Sequence, residues 1–220
     1  MFDRVARRYD FLNDVMSLGQ HRRWRALAGN LSRPRNALIL DLATGTGDLA
    51  ILCQEGGAQR VIGVDFSAAM LAGARSKVEG RPAMPPIAFI QADALSLPFE
   101  NGTFDAVTNA FLLRNLADLE GAIREMRRVL KPGGRLVVLD MTPAGRGSLG
   151  ALTRWYFRTM MPVLGGLLTG EWAAYRYLPA SVEAFPSAER LAAMLSDAGF
   201  REVTFRRMGL GSVAIHVAQA

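Results

Sequence analysis

Residues 41–50 read DLATGTGDLA, and the local structure they require fixes how the chain is built. An apolar run, Ala37 to Leu42, meets the turn Gly45-Thr46-Gly47, and Asp48 opens a helix. Glycines at such a turn tolerate positive φ and let a ligand approach the backbone, while the free amides of the helix start form a polar cradle. The stretch is a strand-to-helix loop of the kind that holds a nucleotide-like cofactor.

Which nucleotide the loop takes is left open by the glycines, because Gly45-Thr46-Gly47-Asp48-Leu49-Ala50 also satisfies the loose dinucleotide pattern G-x-G-x-x-G/A. Asp41 shifts the reading. A carboxylate at the tip of the first strand faces a pyrophosphate badly and suits a cationic ligand, and S-adenosylmethionine carries both a sulfonium and an ammonium. The competing reading is that Asp41 caps the turn that follows it.

Outward from the loop, strands are expected at 60–64, 87–91, 104–109 and 135–140. They alternate with helices at 67–79 and about 118–130, and Lys131-Pro132-Gly133-Gly134 reads as a helix stop. Near-continuous apolar strands such as ALILDL and RLVVLD imply a doubly wound, mostly parallel α/β sheet covered on both faces. Ligands of such sheets sit at the carboxyl ends of strands, where Asp41, Asp65 and Asp93 all fall. Asp65 is placed to accept from ribose hydroxyls, or else to cap the next helix. Asp93 is placed to accept from an adenine amino group beside Ala94, or else to form a turn. Met70 is expected to cover the adenine, or to be ordinary core.

Toward the N-terminus, Phe2, Val5, Ala6, Tyr9 and Leu12 recur near helical spacing, and a second helix is expected around Arg22 to Leu31. Residues 1–35 hold eight arginines against three aspartates, which places +5 of the chain's net +6 in this arm. Such a balance suits nucleic acid, anionic lipid or a solvated helical face. With 220 residues, a half-apolar composition and no internal repeat, one domain is expected. Its parts are helices over 1–35, a cofactor-binding core over 37–140, a helical cover over 149–180, and a helix with strands over 187–220. The one cysteine, Cys53, makes neither an intrachain disulfide nor a thiolate cluster and reads as a small buried hydrophobe; no metal is expected. Met1 to Tyr9 is charged and lacks the apolar run of a signal peptide, so a cytoplasmic location is expected.

The order DLATGTGD, VIGVDFSAAML, QADALSLPFENGTFDAV and VLKPGGRLVVLD resembles class I S-adenosylmethionine-dependent methyltransferases over residues 37–140. With FDRVARRYDFLNDVMSLGQHRRWR at the start, FLLRNLAD at 111–118, YRYLPASVEAFPSAERLAAMLSDAGF at 175–200 and GLGSVAIHVA near the end, nearly the whole chain looks like the quinone C-methyltransferases of menaquinone and ubiquinone biosynthesis. The resemblance implies a seven-stranded sheet, S-adenosylmethionine as methyl donor, and a polyprenylated quinol as acceptor. Its cofactor positions fall on Thr46, Asp65, Asp93 and Ala94, with Gly45 and Gly47 in the loop. The chain departs from the family at Ala110, where a cofactor-contacting serine is common, and at Leu112, which replaces the glycine of an F-G-L-R-N run.

Competing acceptors are tested on the residues themselves. The loop Asn109-Ala110-Phe111-Leu112 lacks the prolines of enzymes that methylate nucleic-acid amino groups, and Cys53 follows Leu52 rather than the proline of cytosine C5 enzymes. A small or lipid-like acceptor is expected and nucleic acid is not. The apolar run 149–170 carries Arg154, Arg158, Pro162 and four glycines, which suits a cover over a lipid tail or a core helix pair better than a membrane span. Together with the cationic arm it leads to an expectation of peripheral membrane contact, and a homo-oligomer is compatible with the sequence.

A hydroquinone ring carbon is most nucleophilic when its phenol, with a pKa near ~10, has lost or shares its proton. For that chemistry His21 is expected as base, Arg114 as stabiliser of the phenolate, and Tyr9 and Tyr177 as positioning groups. Capping and ion pairing are the competing roles of His21 and Arg114. His216, alternating with Ile215 and Val217, reads as structural.

Overall fold

The computed structural model describes residues 19–79, 81, 85–143 and 181–220, together with Asp14 and Ser17. The expected first helix, Tyr9, the 149–170 cover and Tyr177 lie outside the described residues. One seven-stranded sheet organises the rest, in the order β3-β2-β1-β4-β5-β7-β6. Strands β1 (Leu38–Leu42), β2 (Arg60–Asp65), β3 (Ala88–Gln91), β4 (Phe104–Ala110) and β5 (Leu130–Met141) run parallel. The last two, β6 (Arg201–Met208) and β7 (Val213–Gln219), pair antiparallel, and β7 is also antiparallel to β5. The order therefore reverses between β1 and β4, the place where open α/β sheets bind ligands.

Successive strand residues point to opposite faces, so each strand supplies two cores. Leu40, Leu136 and Val138 pack into one with Ile123 and Met126 of the helix Leu119–Val129 and Leu191 and Leu195 of the helix Ala188–Asp197. Ile39, Val137 and Leu139 pack into the other with Ala28 of the helix Gln20–Leu31 and Leu49, Ile51 and Cys53 of the helix Asp48–Glu55. Cys53 is fully buried and its thiol is pushed up to about 12, chiefly by burial, as suits a small core residue. Another helix, Ala68–Glu79, follows β2.

Helix boundaries follow local chemistry. Asp118 caps its helix by accepting from the amide of Gly121 at 2.7 Å, and Ser187 accepts from the amide of Arg190 at 3.3 Å. One expectation is corrected. The helix does stop before Lys131-Pro132-Gly133-Gly134, at Val129, but the strand expected over 135–140 begins at Leu130 and holds these residues as an irregularity. The register jumps from Phe104 opposite Leu130 to Ala106 opposite Arg135, and the bulge pairs with the chain end, Gly133 N donating to Ala220 O and Ala220 N to Gly134 O. Gly133 sits at φ 77°, and a Cβ on Gly134 would lie 2.8 Å from the Lys131 carbonyl, so both positions demand glycine. Lacking any view of β7, the sequence shows only the breaker residues.

Candidate active site

A cavity of about 270 Å³ lies over the carboxyl ends of β1, β2 and β4 and beside the turn after β3. Gly45, Asp65, Met70, Asp93, Ala94 and Ala110 all line it, so six of the sequence-expected binding residues converge there. The Asp65 carboxylate accepts from Gly45 N at 2.8 Å and from Ser67 N at 2.9 Å, which ties the glycine turn to the end of β2. The helix cap is Ser67 rather than Asp65, since Ser67 Oγ accepts from Met70 N at 3.2 Å. Asp93 is exposed, and its Oδ1 accepts from Leu95 N at 2.9 Å, the turn that the sequence offered as its competing role. Its other oxygen is free of that turn bond.

Three loop residues are placed differently. Asp41 is 1% exposed, with one oxygen accepting from Thr44 Oγ1 at 2.7 Å and the other from Thr108 Oγ1 at 2.8 Å. It lines a small recess next to the main cavity rather than the cavity itself. Thr46 also lines the recess, and its hydroxyl accepts from Lys77 Nζ at 2.9 Å. Gly47 lines neither space. At φ 85° it starts the helix Asp48–Glu55, and a Cβ there would press on Ala74 at 3.3 Å and Phe89 at 3.4 Å, so its small size serves packing.

Burial raises the Asp41 carboxyl to about 6, against the two threonine hydroxyls and Arg25, which lower it. Because the fold favours the neutral acid, Asp41 contributes stability that is fully present below its unfolded value near 3.8 and is lost as pH rises through about 6. Unliganded wild type is expected to lose on the order of 3 kcal/mol relative to Asp41→Asn between about pH 3 and 7. Urea denaturation across that range checks this, and parallel stability curves for the two proteins would contradict it.

Of the expected ring-side residues, the two that are described, His21 and Arg114, do not line the cavity. His21 is buried in a second, charged cleft with Asp14, Arg22 and Lys77, away from Asp65 and Asp93. Its Nδ1 shares a hydrogen bond with Ser17 Oγ at 2.8 Å, and burial, followed by Arg25, lowers its pKa. Arg114 does not line the cavity either. Its Nη1 donates to Asp140 Oδ1 at 2.8 Å and to the Phe111 carbonyl at 3.0 Å, which is the ion-pair role held as its alternative. Neither displacement was visible in spacing, because each depends on a partner far away in sequence or on how a helix is turned. His216 is structural as expected, buried with Nε2 bonded to the Ala188 carbonyl at 2.9 Å.

The sequence reading missed Phe66, Phe111, Asn115 and Leu116, which also line the cavity. Phe66 is 76% exposed although aromatic, and it directly follows the strand-end acid Asp65. Phe111 takes φ 64°, a left-handed conformation that costs a bulky residue energy and marks functional sites. Its carbonyl is held there by Arg114 and by Asn115 Nδ2 at 2.9 Å. Leu112, one residue on, sits at φ −89° and needs no glycine, so leucine is accommodated without strain and narrows the cavity with its side chain. The signal that could have found these residues is their place after β2 and β4, had the strand-end rule been applied to more than acids.

The model of the "ubiE/COQ5 methyltransferase family" matches residues 1–220. The chain belongs to that family. It is 51% identical over 220 residues to a protein of Thermus thermophilus named demethylmenaquinone methyltransferase, covering 99% of this chain and 98% of the relative. A Desulfotalea psychrophila protein named ubiquinone/menaquinone biosynthesis C-methyltransferase UbiE is 42% identical over 218 residues, covering 98% and 87%. Among solved structures, a SAM-dependent methyltransferase from Thermotoga maritima superposes with a TM-score of 0.70 at 18% identity over 99% of this chain and 97% of its own, a likeness of fold.

Membership makes this chain a methyltransferase. The methyl donor expected from the sequence is S-adenosylmethionine. The residues fit that donor. A Cβ on Gly45 at φ 58° would meet nothing within 4 Å, so the turn opens onto free space, and the acceptors there are carboxylates suited to hydroxyl and amino donors. Ala110 lines both cavity and recess and offers neither a hydroxyl. Among the described residues no group of His, Cys, Asp or Glu is arranged to hold a metal, and no helix is long and apolar enough to cross a membrane.

Proposed function

We propose that this methyltransferase methylates a ring carbon of a polyprenylated hydroquinone, demethylmenaquinol or a related benzoquinol, in respiratory quinone biosynthesis. The observation that carries the reading is the 51% identity over 99% of the chain to a demethylmenaquinone methyltransferase. The cavity supports it: its lining joins the carboxylates of Asp65 and Asp93 with the apolar Phe111, Leu112 and Leu116, which suits a polar nucleoside beside an apolar acceptor. When bound, S-adenosylmethionine supplies an electrophilic methyl group on a sulfonium.

Asp65 is the residue we assign to the ribose hydroxyls and Asp93 to the adenine amino group, with Phe66 and Met70 against the purine. Two backbone amides fix the Asp65 carboxylate at the cavity wall, and hydrogen bonds to a charged group contribute about 1.5–3 kcal/mol. Asp65→Ala is expected to weaken S-adenosylmethionine binding at least about tenfold, read by calorimetric titration. Unchanged affinity would remove Asp65 from the site.

On the acceptor side, Phe111, Leu112 and Leu116 keep water from the ring, and orientation supplies much of the acceleration. Tyr9 and Tyr177 are retained as positioning groups for the phenol. His21 and Arg114 are reassigned to holding the walls, His21 through Ser17 and Arg114 through Asp140. The cationic arm of residues 1–35 is proposed to meet anionic lipid, where the prenylated substrate resides. Vesicle flotation indifferent to anionic lipid and salt would count against that contact. The function itself is tested by purified protein with labelled donor against reduced naphthoquinols, reduced benzoquinols and unprenylated phenols. Transfer confined to the simple phenols, or absent from every quinol, overturns the reading.

A further inference from the structure

Four large apolar side chains stand exposed among the described residues, and three of them, Phe66, Leu95 and Leu210, lie in loops at the carboxyl edge of the sheet. Phe66 follows β2 and Leu95 follows β3. Leu210 tips the turn from β6 to β7, whose first residue, Val213, pairs with Met141 at the carboxyl end of β5. At about 4.8 Å per strand, the row from β2 to β7 spans roughly 20 Å and brackets the cavity over β1 and β4. Single apolar residues scattered on a surface need no account, but a row along the edge that holds the cavity does.

Leu210 is the one that packing explains least. It is 67% exposed, at φ 56° and ψ 28°, between Gly209 at φ 55° and Gly211 at φ 87°. A left-handed backbone disfavours leucine and suits glycine or asparagine, so folding alone gives no reason for a leucine here. The turn is nonetheless firmly held. Gly209 O accepts from Ser212 Oγ at 2.7 Å, Arg207 Nη1 donates to Gly211 O at 3.2 Å, and Thr142 N donates to Ser212 O at 2.9 Å. Cations flank it. A Cβ on Gly209 would lie 3.0 Å from Trp24 of the helix Gln20–Leu31, whose neighbour Arg23 is exposed. On β6, exposed Arg206 stands opposite Ile215, which belongs to the core beneath that helix. Neither arginine forms an ion pair with a described residue.

We infer that the carboxyl edge of the sheet lies on the bilayer, with Leu210 entering the acyl boundary and Arg23 and Arg206 against the phosphates of anionic lipid. The inference deepens the proposed lipid contact by naming its surface, and it rests on an acceptor that resides in membrane. A rigid apolar tip beside unpaired cations matches that boundary, where apolar burial and attraction to anionic headgroups add. A second copy of this chain, at net +6, would bring like charge to the same place. The orientation also serves the chemistry. With this edge on the lipid, a prenylated ring passes from the bilayer to the cavity between Phe66 and Leu210 without crossing water.

The test is flotation of the full chain, without substrate, on vesicles of phosphatidylcholine mixed with phosphatidylglycerol and on vesicles of phosphatidylcholine alone. Leu210→Asn, which suits the left-handed backbone, is expected to weaken binding to the mixed vesicles about tenfold or more, the scale of withdrawing a leucine side chain from an apolar phase. Arg23→Gln and Arg206→Gln should each cost about fivefold on the mixed vesicles and nothing on phosphatidylcholine alone. Arg60→Gln removes the same charge at the amino end of β2, on the opposite edge, and should leave binding unchanged. A polarity-sensitive dye on Leu210→Cys should shift to the blue when mixed vesicles are added. Failure of wild type to float, wild-type binding by Leu210→Asn, equal weakening by Arg60→Gln and Arg206→Gln, or an unshifted dye overturns the inference. So does self-association without vesicles that Leu210→Asn abolishes, which would make a second copy the occupant. None of these results touches methyl transfer to quinols, and a chain that binds as expected yet methylates no quinol loses the proposed function and keeps the surface.

Discussion

Reduced quinol is expected to be methylated and the matching oxidised quinone to give no detectable product under the same conditions. The difference lies in the ring. A hydroquinone carries phenols whose ionisation pushes electron density onto the ring carbons, whereas a quinone is electron-poor and has no phenolic proton to give up. Nothing in the described cavity wall compensates for an electron-poor ring. Its apolar lining includes Phe111, Leu112 and Leu116, and the one thiol of the chain, on Cys53, is buried in the core, does not line the cavity, and is held protonated at about 12. A positioned base commonly contributes about 10²–10⁴ in rate, so the absence of an ionisable phenol should exceed the loss of any one side chain. Anaerobic assays with dithionite-reduced and air-oxidised substrate decide it. Comparable turnover of the quinone would end the phenolate mechanism, with the fold and donor site untouched.

Arg114→Ala is expected to destabilise the protein by about 3–5 kcal/mol, because it strands a carboxylate in the interior. Asp140 is 2% exposed at its side chain and is met by Arg114 Nη1 at 2.8 Å. Removing the guanidinium also frees the Phe111 carbonyl, one of the ties holding that residue at φ 64°. Asp140→Ala should be similarly harmful, since it leaves the guanidinium unpaired, whereas replacing both by apolar residues of like volume should recover much of the loss. Urea denaturation of the two single variants and the double variant measures this. A stable Arg114→Ala protein with lost turnover would instead return Arg114 to the acceptor ring, the role its sequence position first suggested.

The acids at strand ends were legible because their position follows from the backbone alone. Once Leu38–Leu42 and Arg60–Asp65 are parallel strands feeding helices, Asp41 and Asp65 must lie at the carboxyl edge, whatever packs around them. Asp65 and Asp93 accordingly reach one cavity with Gly45, Met70, Ala94 and Ala110. His21 and Arg114 stand outside the cavity lining, which the sequence could not show because charge and residue type say nothing about partners. Ser17 claims His21, and Asp140 at the end of β5 claims Arg114. The burial of Arg25 was hidden for the same reason. In the sequence it is one of eight arginines in a basic arm, and only the folded helix shows that this one is buried beside the glycine turn.

The sequence by itself determined the doubly wound sheet, the glycine turn at its reversal point, and the carboxylates that edge it, since these depend on period, turn chemistry and spacing within a few residues of each other. Close similarity over the full chain determined the family in the same way. Only the tertiary structure decided which charges are already paired, that Asp41 lies in a recess beside the cavity, and that Lys131 to Gly134 form a bulge bound to the chain end. The physical reason is range. Backbone preference and hydrophobic period act along the chain, whereas the field at a buried carboxylate or guanidinium is set by groups from distant segments, and those meet only when the sheet and both of its cores have closed.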